Sequence, residues 1–213
     1  LVHVMLALGY LLSGDPDGAR VEMLQADVTM QRLAEEDSTL GQLASARFLA
    51  GLIYEVNGER DDALISYRRA YNILSDRGEP IPEALQISLL NLTQRQGFRQ
   101  EYEAFSKRFG RQAQLPATDE GEWFLIYFDG VISNKTETRL SVYDGEVDTM
   151  VSVVMPHYAP VNYQPRGLTL VGGQRQRSAM IENLEVRARQ DLDAQRAKLL
   201  AAATVRAVAP PTA

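Results

Sequence analysis

The stretch Phe48 to Ala70, FLAGLIYEVNGERDDALISYRRA, restricts what this chain can fold into more than any other. An apolar run rich in small residues reaches Gly58, a polar turn follows, and an amphipathic run opens near Asp61. Glycine just past an apolar periodic segment stops a helix, and the acidic pair Asp61-Asp62 suits the positive end of the next helix dipole. The stretch therefore predicts two antiparallel helices. Small residues at Gly51, Ala63 and Ala70 let the axes approach to about 8 to 10 Å, and Tyr54 and Tyr67 fill the space that remains.

The same layout lies upstream. VHVMLALGYLLSGD reads as a helix with a broad apolar face and a stop at Gly14, and Asp15-Pro16 supplies an N-cap and a first-turn proline. The helix that follows carries Ala19, Met23, Ala26, Met30 and Leu33 in steps of three and four, which keeps one face buried. Aligning Gly14 with Gly58 superimposes Tyr10 on Tyr54, Ala19 on Ala63, Met23 on Tyr67 and Ala26 on Ala70. A third pair is expected from Pro80 to Phe109, opened by Pro82, striped by Leu85, Leu89 and Leu92, and interrupted at Gly97.

In the central pair, Gly51, Tyr54, Gly58, Ala63, Tyr67 and Ala70 match the pattern of the tetratricopeptide (TPR) repeat family, which this stretch resembles. Ser75 stands where the family has proline, Tyr102 where the third pair would have alanine, and the Gly14 to Gly58 spacing is 44 residues against a family period of about 34. The excess falls near Met30 to Leu43. The resemblance implies a short helical array with a concave face, toward which first-helix side chains such as Arg47 and Glu55 would point to meet a partner. Their alternative is an ordinary solvated surface.

At LPATDEGEW the texture changes, and the period then becomes two. EWFLIYF, TRLSVY and DTMVSVVMP read as strands, with turns at Asp129-Gly130 and Asp144-Gly145. Pro156, Pro160 and Pro165 impose an irregular stretch, and GLTLV supplies a short edge strand. From Ser178 a long amphipathic helix is expected, with Ile181, Leu184, Ala188, Leu192, Gln195 and Leu199 on one face and arginines elsewhere. The fold class is thus α+β: TPR-like helical hairpins over residues 1–113, a small, mostly antiparallel β-sheet with a C-terminal amphipathic helix over 121–206, and a frayed tail over 207–213.

With 213 residues, 45% of them hydrophobic, the chain suits globular folding, and no run is apolar enough to span a membrane. Residues 1–165 carry a net charge of −10 and the remainder +4; the acidic bulk disfavours nucleic acid as a partner. Leu1 already lies inside an apolar periodic segment, so an upstream part, and any targeting signal with it, is expected.

LALGYLLSGDPDGARVE, the second hairpin, and LIYFDGV followed by a proline-rich segment and an arginine-containing helix resemble a largely uncharacterised family of bacterial TPR-containing envelope lipoproteins. That resemblance implies a periplasmic location, outer-membrane attachment through an N-terminal lipid anchor ahead of Leu1, and other proteins of a larger complex as partners.

Chemistry-bearing groups are sparse. His3 and His157 are the only histidines and there is no cysteine, so neither a metal-ligand spacing nor a histidine-based triad is legible. Gly172-Gly173 lacks the context of a phosphate loop. No catalytic residue, metal or cofactor is expected. Two further surfaces are candidates for partner contact. One is the proline-framed stretch with His157, Tyr158 and Tyr163, which alternatively covers the sheet edge. The other is the basic helix with Arg187 and Arg189, which alternatively is solvated or packs on acidic repeats. The expected function is a non-enzymatic interaction scaffold or adaptor; the alternative is a cell-wall or glycan-binding module regulating an envelope enzyme.

Overall fold

A computed structural model describes residues 2–36, 42–117, 119–122, 124–145, 148–171 and 175–208. Among them are seven helices and two small antiparallel sheets, an α+β chain. Two compact units form, one from residues 1–127 with 167–182, the other from 128–166 with 183–213.

The first unit holds α1 (Val2–Leu12), α2 (Pro16–Glu36), α3 (Ala44–Val56), α4 (Arg60–Asp76), α5 (Glu83–Arg95) and α6 (Arg99–Phe109). They pack as three consecutive pairs, α1 on α2, α3 on α4 and α5 on α6, and the pairs stack through α2 on α3 and α4 on α5. Each pair turns on a glycine with φ near +75°, Gly14, Gly58 and Gly97. In all three turns the residue after the glycine donates its N–H to a carbonyl five residues back: Asp15 to Tyr10 at 2.9 Å, Glu59 to Tyr54 at 2.8 Å, and Phe98 to Thr93 at 2.9 Å. Only the left-handed backbone at glycine lets the last turn close in this way. The Asp15 cap also forms, its Oδ1 accepting the Gly18 N–H at 2.8 Å.

Helix α3 is buried on two sides. Ala46, Leu49, Ala50 and Ile53 join Ala7, Leu8, Ala19, Met23, Ala26 and Met30 in one core. Phe48 and Leu52 join Ala63, Tyr67, Ala70, Leu74 and the α5 leucines in the other. The alignment on the two glycines holds in space, since Ala19, Met23 and Ala26 occupy core positions like those of Ala63, Tyr67 and Ala70. The tightest approach is Gly51 to Tyr67: a Cβ on residue 51 would stand 2.2 Å from Tyr67 Cε1. The Tyr67 hydroxyl then donates to Glu55 Oε2 at 2.6 Å. Burial pushes the Tyr67 phenol well above its usual value and raises the Glu55 carboxyl, which the Tyr67 bond draws back down. In the first pair, 44 residues earlier, the corresponding set is Ala7, Met23 and Leu11. Without the ring there is no need for the glycine, and without the hydroxyl no need for the carboxylate.

Residues 167–182 return to this unit. Here β3 (Thr169–Val171) pairs antiparallel with β4 (Arg175–Arg177) as a separate two-stranded sheet, so GLTLV does not border the larger one. Gly172 and Gly173 lie outside the described residues. Ile181 packs on the second core, and the fully buried Glu182 side chain is gripped at both oxygens. Oε2 accepts from the Ser45 hydroxyl at 2.7 Å and the Ser45 N–H at 3.1 Å, and Oε1 accepts from Arg77 at 3.0 Å. Arg77 donates in turn to the Gln42 carbonyl at 2.5 Å.

The second unit holds β1 (Lys135–Asp144), β2 (Thr149–Tyr158) and α7 (Leu184–Val208). β1 and β2 form a hairpin with Leu140 opposite Val153 and Thr138 opposite Met155. Val153 and Met155 face inward while Val154 between them is exposed, the alternation of a sheet with one covered face. α7 packs on β2.

Two expectations change. The described residues of EWFLIYF form no strand: neither hairpin strand takes a third partner, and a strand without a ladder leaves its backbone groups to water. The long helix begins at Leu184, not Ser178, because Asn183 caps it by accepting the Val186 N–H at 3.2 Å while the preceding residues are held by Glu182. α7 runs to Val208, and residues 209–213 of the expected frayed tail lie outside the described residues.

Gly51→Ala should destabilise the first unit by about 1 to 3 kcal/mol, the cost of overpacking a filled core, with a lower Tm in thermal denaturation. Glu182→Ala should cost about 1 to 3 kcal/mol, because the Ser45 and Arg77 donors lose their shared acceptor at a part-buried site. Hydrogen exchange should then quicken in β3 and β4 and at Ser178.

Candidate functional site

The second unit contains a cleft of about 300 Å³ between the β1–β2 hairpin and α7. Its apolar lining comes from Leu140, Met155, Leu192 and Leu199, and its polar lining includes His157, Arg189, Asp193 and Arg196. The helix contribution follows from sequence spacing: Arg189, Leu192, Asp193, Arg196 and Leu199 recur in steps of three and four, so they share one face of α7.

One ion pair fixes the walls. Glu185 and Arg189 lie one helical turn apart and pair at 2.6 Å. Glu185 Oε2 accepts the Ser133 N–H at 3.0 Å, which holds the approach to β1. Arg189 donates to the Tyr158 carbonyl at 3.0 Å and to the Ala159 carbonyl, which holds the end of β2. The guanidinium satisfies three acceptors, two of them carbonyls that the departing strand would otherwise leave without partners. The Ser133 N–H, with the Arg189 guanidinium as a smaller contributor, holds the Glu185 carboxyl below its ordinary value.

His157 stands at the exposed end of β2, its Nδ1 sharing a hydrogen bond with the Thr138 hydroxyl at 2.8 Å across the hairpin. Arg196 and Asp193 are exposed at the rim. Because Arg189 is committed to the frame, Arg196 is the cation positioned to meet an incoming acceptor. An apolar side chain fits the lining, and a carboxylate or carbonyl beside it fits Arg196. Among the described residues no group of three or more histidine, cysteine, aspartate or glutamate side chains could hold a metal ion.

The structure thus brings His157, Tyr158 and Arg189 together at one cleft. The other candidates lie apart from it. Tyr163 donates to Asp129, which also accepts the Arg166 N–H at 2.6 Å, so this tyrosine tethers the proline-rich stretch. Arg187 donates to Gln190 at 2.7 Å. In the first unit Arg47 is buried and ion-paired with Asp27, a carboxylate that Arg69 also engages at 3.0 Å. Glu55 is half-buried beneath the Tyr67 hydroxyl. Arg196, one of the arginines of the basic helix, and Asp193 join Arg189 at the cleft, and the spacing counted from Arg189 selects both.

A carboxyl with a depressed folded-state value adds stability above its unfolded value, near 4.5, and loses it as pH falls through the folded one. Denaturant titrations should therefore show stability falling below about pH 4.5 in the native chain and a shallower fall in Glu185→Gln. No family model matches this chain, and no match was found among curated proteins.

Proposed function

We propose that this chain is a non-enzymatic protein–protein interaction scaffold or adaptor whose second unit holds a partner segment in the cleft between β1–β2 and α7. The observation that carries this reading is the cleft itself. It combines an apolar lining with an exposed arginine and an exposed aspartate, while its frame is fixed independently by Glu185 and Arg189. Rigid elements that present a pocket for one anchor side chain, with charged groups at the rim, suit recognition of an extended polypeptide. The rim offers a cation for a carboxylate or carbonyl, and an anion that selects against a wholly acidic partner.

We also infer that the stacked helical pairs are TPR-like. The positions behind that reading, Gly51, Tyr54, Gly58, Ala63, Tyr67 and Ala70, lie in or beside the α3–α4 core and its turn. The sequence resemblance supports a bacterial envelope-associated assembly as the setting, with other proteins as partners.

Site-specific photo-cross-linking in cells tests this function. A photoreactive residue at position 193 should capture one protein reproducibly. Arg196→Glu should reduce that capture at least tenfold, and a probe at exposed Lys107 should not yield it. Absence of any protein adduct from position 193 sinks the scaffold reading. Sedimentation with purified peptidoglycan that Arg196→Glu abolishes moves the cleft to glycan binding.

A further inference from the structure

The two stacking surfaces inside the first unit are built from the same positions. α3 rests on the α1–α2 pair through Ala46, Leu49, Ala50 and Ile53, all buried. Advancing by 39 residues, the spacing from Gly58 to Gly97, gives Leu85, Ser88, Leu89 and Leu92 on α5, again all buried, with the three leucines in the core shared with α3–α4. Stepping back by 44 residues, the spacing from Gly14 to Gly58, gives Val2, Met5, Leu6 and Gly9 on α1. These four have the same helical spacing and are apolar, yet they are exposed. Val2 is 72%, Met5 57% and Leu6 46% accessible.

α1 is therefore apolar on two opposite sides, and only the side with Ala7 and Leu8 is covered. α2 repeats the condition more weakly: Val21, Leu24 and Val28 are exposed opposite its buried Ala19, Met23, Ala26 and Met30. A helix that is hydrophobic all round belongs in an interior, and the outermost unit of a stacked array carries a polar outer face when nothing lies beyond it. This outer face has the composition of an inner one.

We propose that the Val2, Met5, Leu6 and Gly9 face of α1 is a stacking surface for a further helical pair, supplied by the preceding stretch of the same polypeptide. The surface continues the interface that α3 makes with α1–α2 and α5 makes with α3–α4. In both cases the covering pair precedes the covered helix in sequence. The occupant presents small and flexible apolar residues at the positions of Ala19, Met23, Ala26 and Met30, which are the groups that meet this face one pair further along.

The 213 residues contain no cysteine, and peptide mass spectrometry reads labelling at the one thiol introduced among them in either polypeptide. In the polypeptide as the cell makes it, Met5→Cys should react with a maleimide at least tenfold more slowly than in the 213-residue chain, whereas Val56→Cys, exposed on α3, should react equally in both. Leu6→Glu should lower the Tm of the cell-made polypeptide and leave that of the 213-residue chain nearly unchanged. Equal labelling of Met5→Cys in the two overturns the proposal. Protection that fades on dilution of the purified protein, with a dimer that Leu6→Glu dissociates in sedimentation equilibrium, assigns the face to a second copy and also overturns it.

Discussion

A missing Cβ governs the centre of the first unit. The Tyr67 ring lies where a side chain on residue 51 would begin, and its full burial is possible only because α3 offers glycine at that point. The ring brings its hydroxyl inside with it, and a buried hydroxyl requires a partner. Glu55, one turn beyond Gly51 on α3, supplies it. These three residues act as a unit in which each makes the next necessary. The first pair shows a second solution to the same packing problem, with a thioether in place of the ring, an alanine in place of the glycine and a leucine in place of the carboxylate. The glycine-tyrosine signal in the sequence is therefore a record of volume exchange across one helix-helix contact.

What the sequence made legible was local. The helical turns announce themselves through Gly14, Gly58 and Gly97, because the left-handed backbone they adopt is a property of the residue itself. The buried stripe of α2 and α4 is visible as spacing, and so is the cleft-lining face of α7 once it is counted from Arg189. What stayed hidden depends on partners far away along the chain. The EWFLIYF segment has the composition of a strand, but a strand exists only where another strand meets it. Ser178 to Asn183 continue the apolar period of α7, yet Glu182 is held by Ser45 and Arg77, more than a hundred residues distant. Arg47 reads as a groove residue until Asp27 on α2 is brought beside it. In each case the presence or absence of a contact that costs loop-closure entropy decides the outcome, and local spacing carries no trace of it.

Arginine serves two different ends in this protein. Arg77 and Arg189 are structural, each donating to a carboxylate and to the backbone at the edge of an element, Arg77 to one carbonyl and Arg189 to two. Arg196 is exposed at a rim whose shape is already set. Positive charge in the last part of the sequence is thus divided between groups that hold the framework and groups that face outward. Net charge along the sequence cannot make that division, because it depends on which acceptors lie within reach.

The grip on Glu182 has a consequence for the order in which the protein is made. The first unit is not a continuous stretch of sequence; its last segment follows residues that belong to the other unit. During synthesis the helical pairs emerge early, and their local turns let them form as they appear. Ser45 and Arg77 nonetheless await a carboxylate that is translated more than a hundred residues after both of them. The nascent helical array therefore carries an open polar seat through the production of the entire β-hairpin, and its maturation is timed by a residue at position 182 rather than by the end of its own helices.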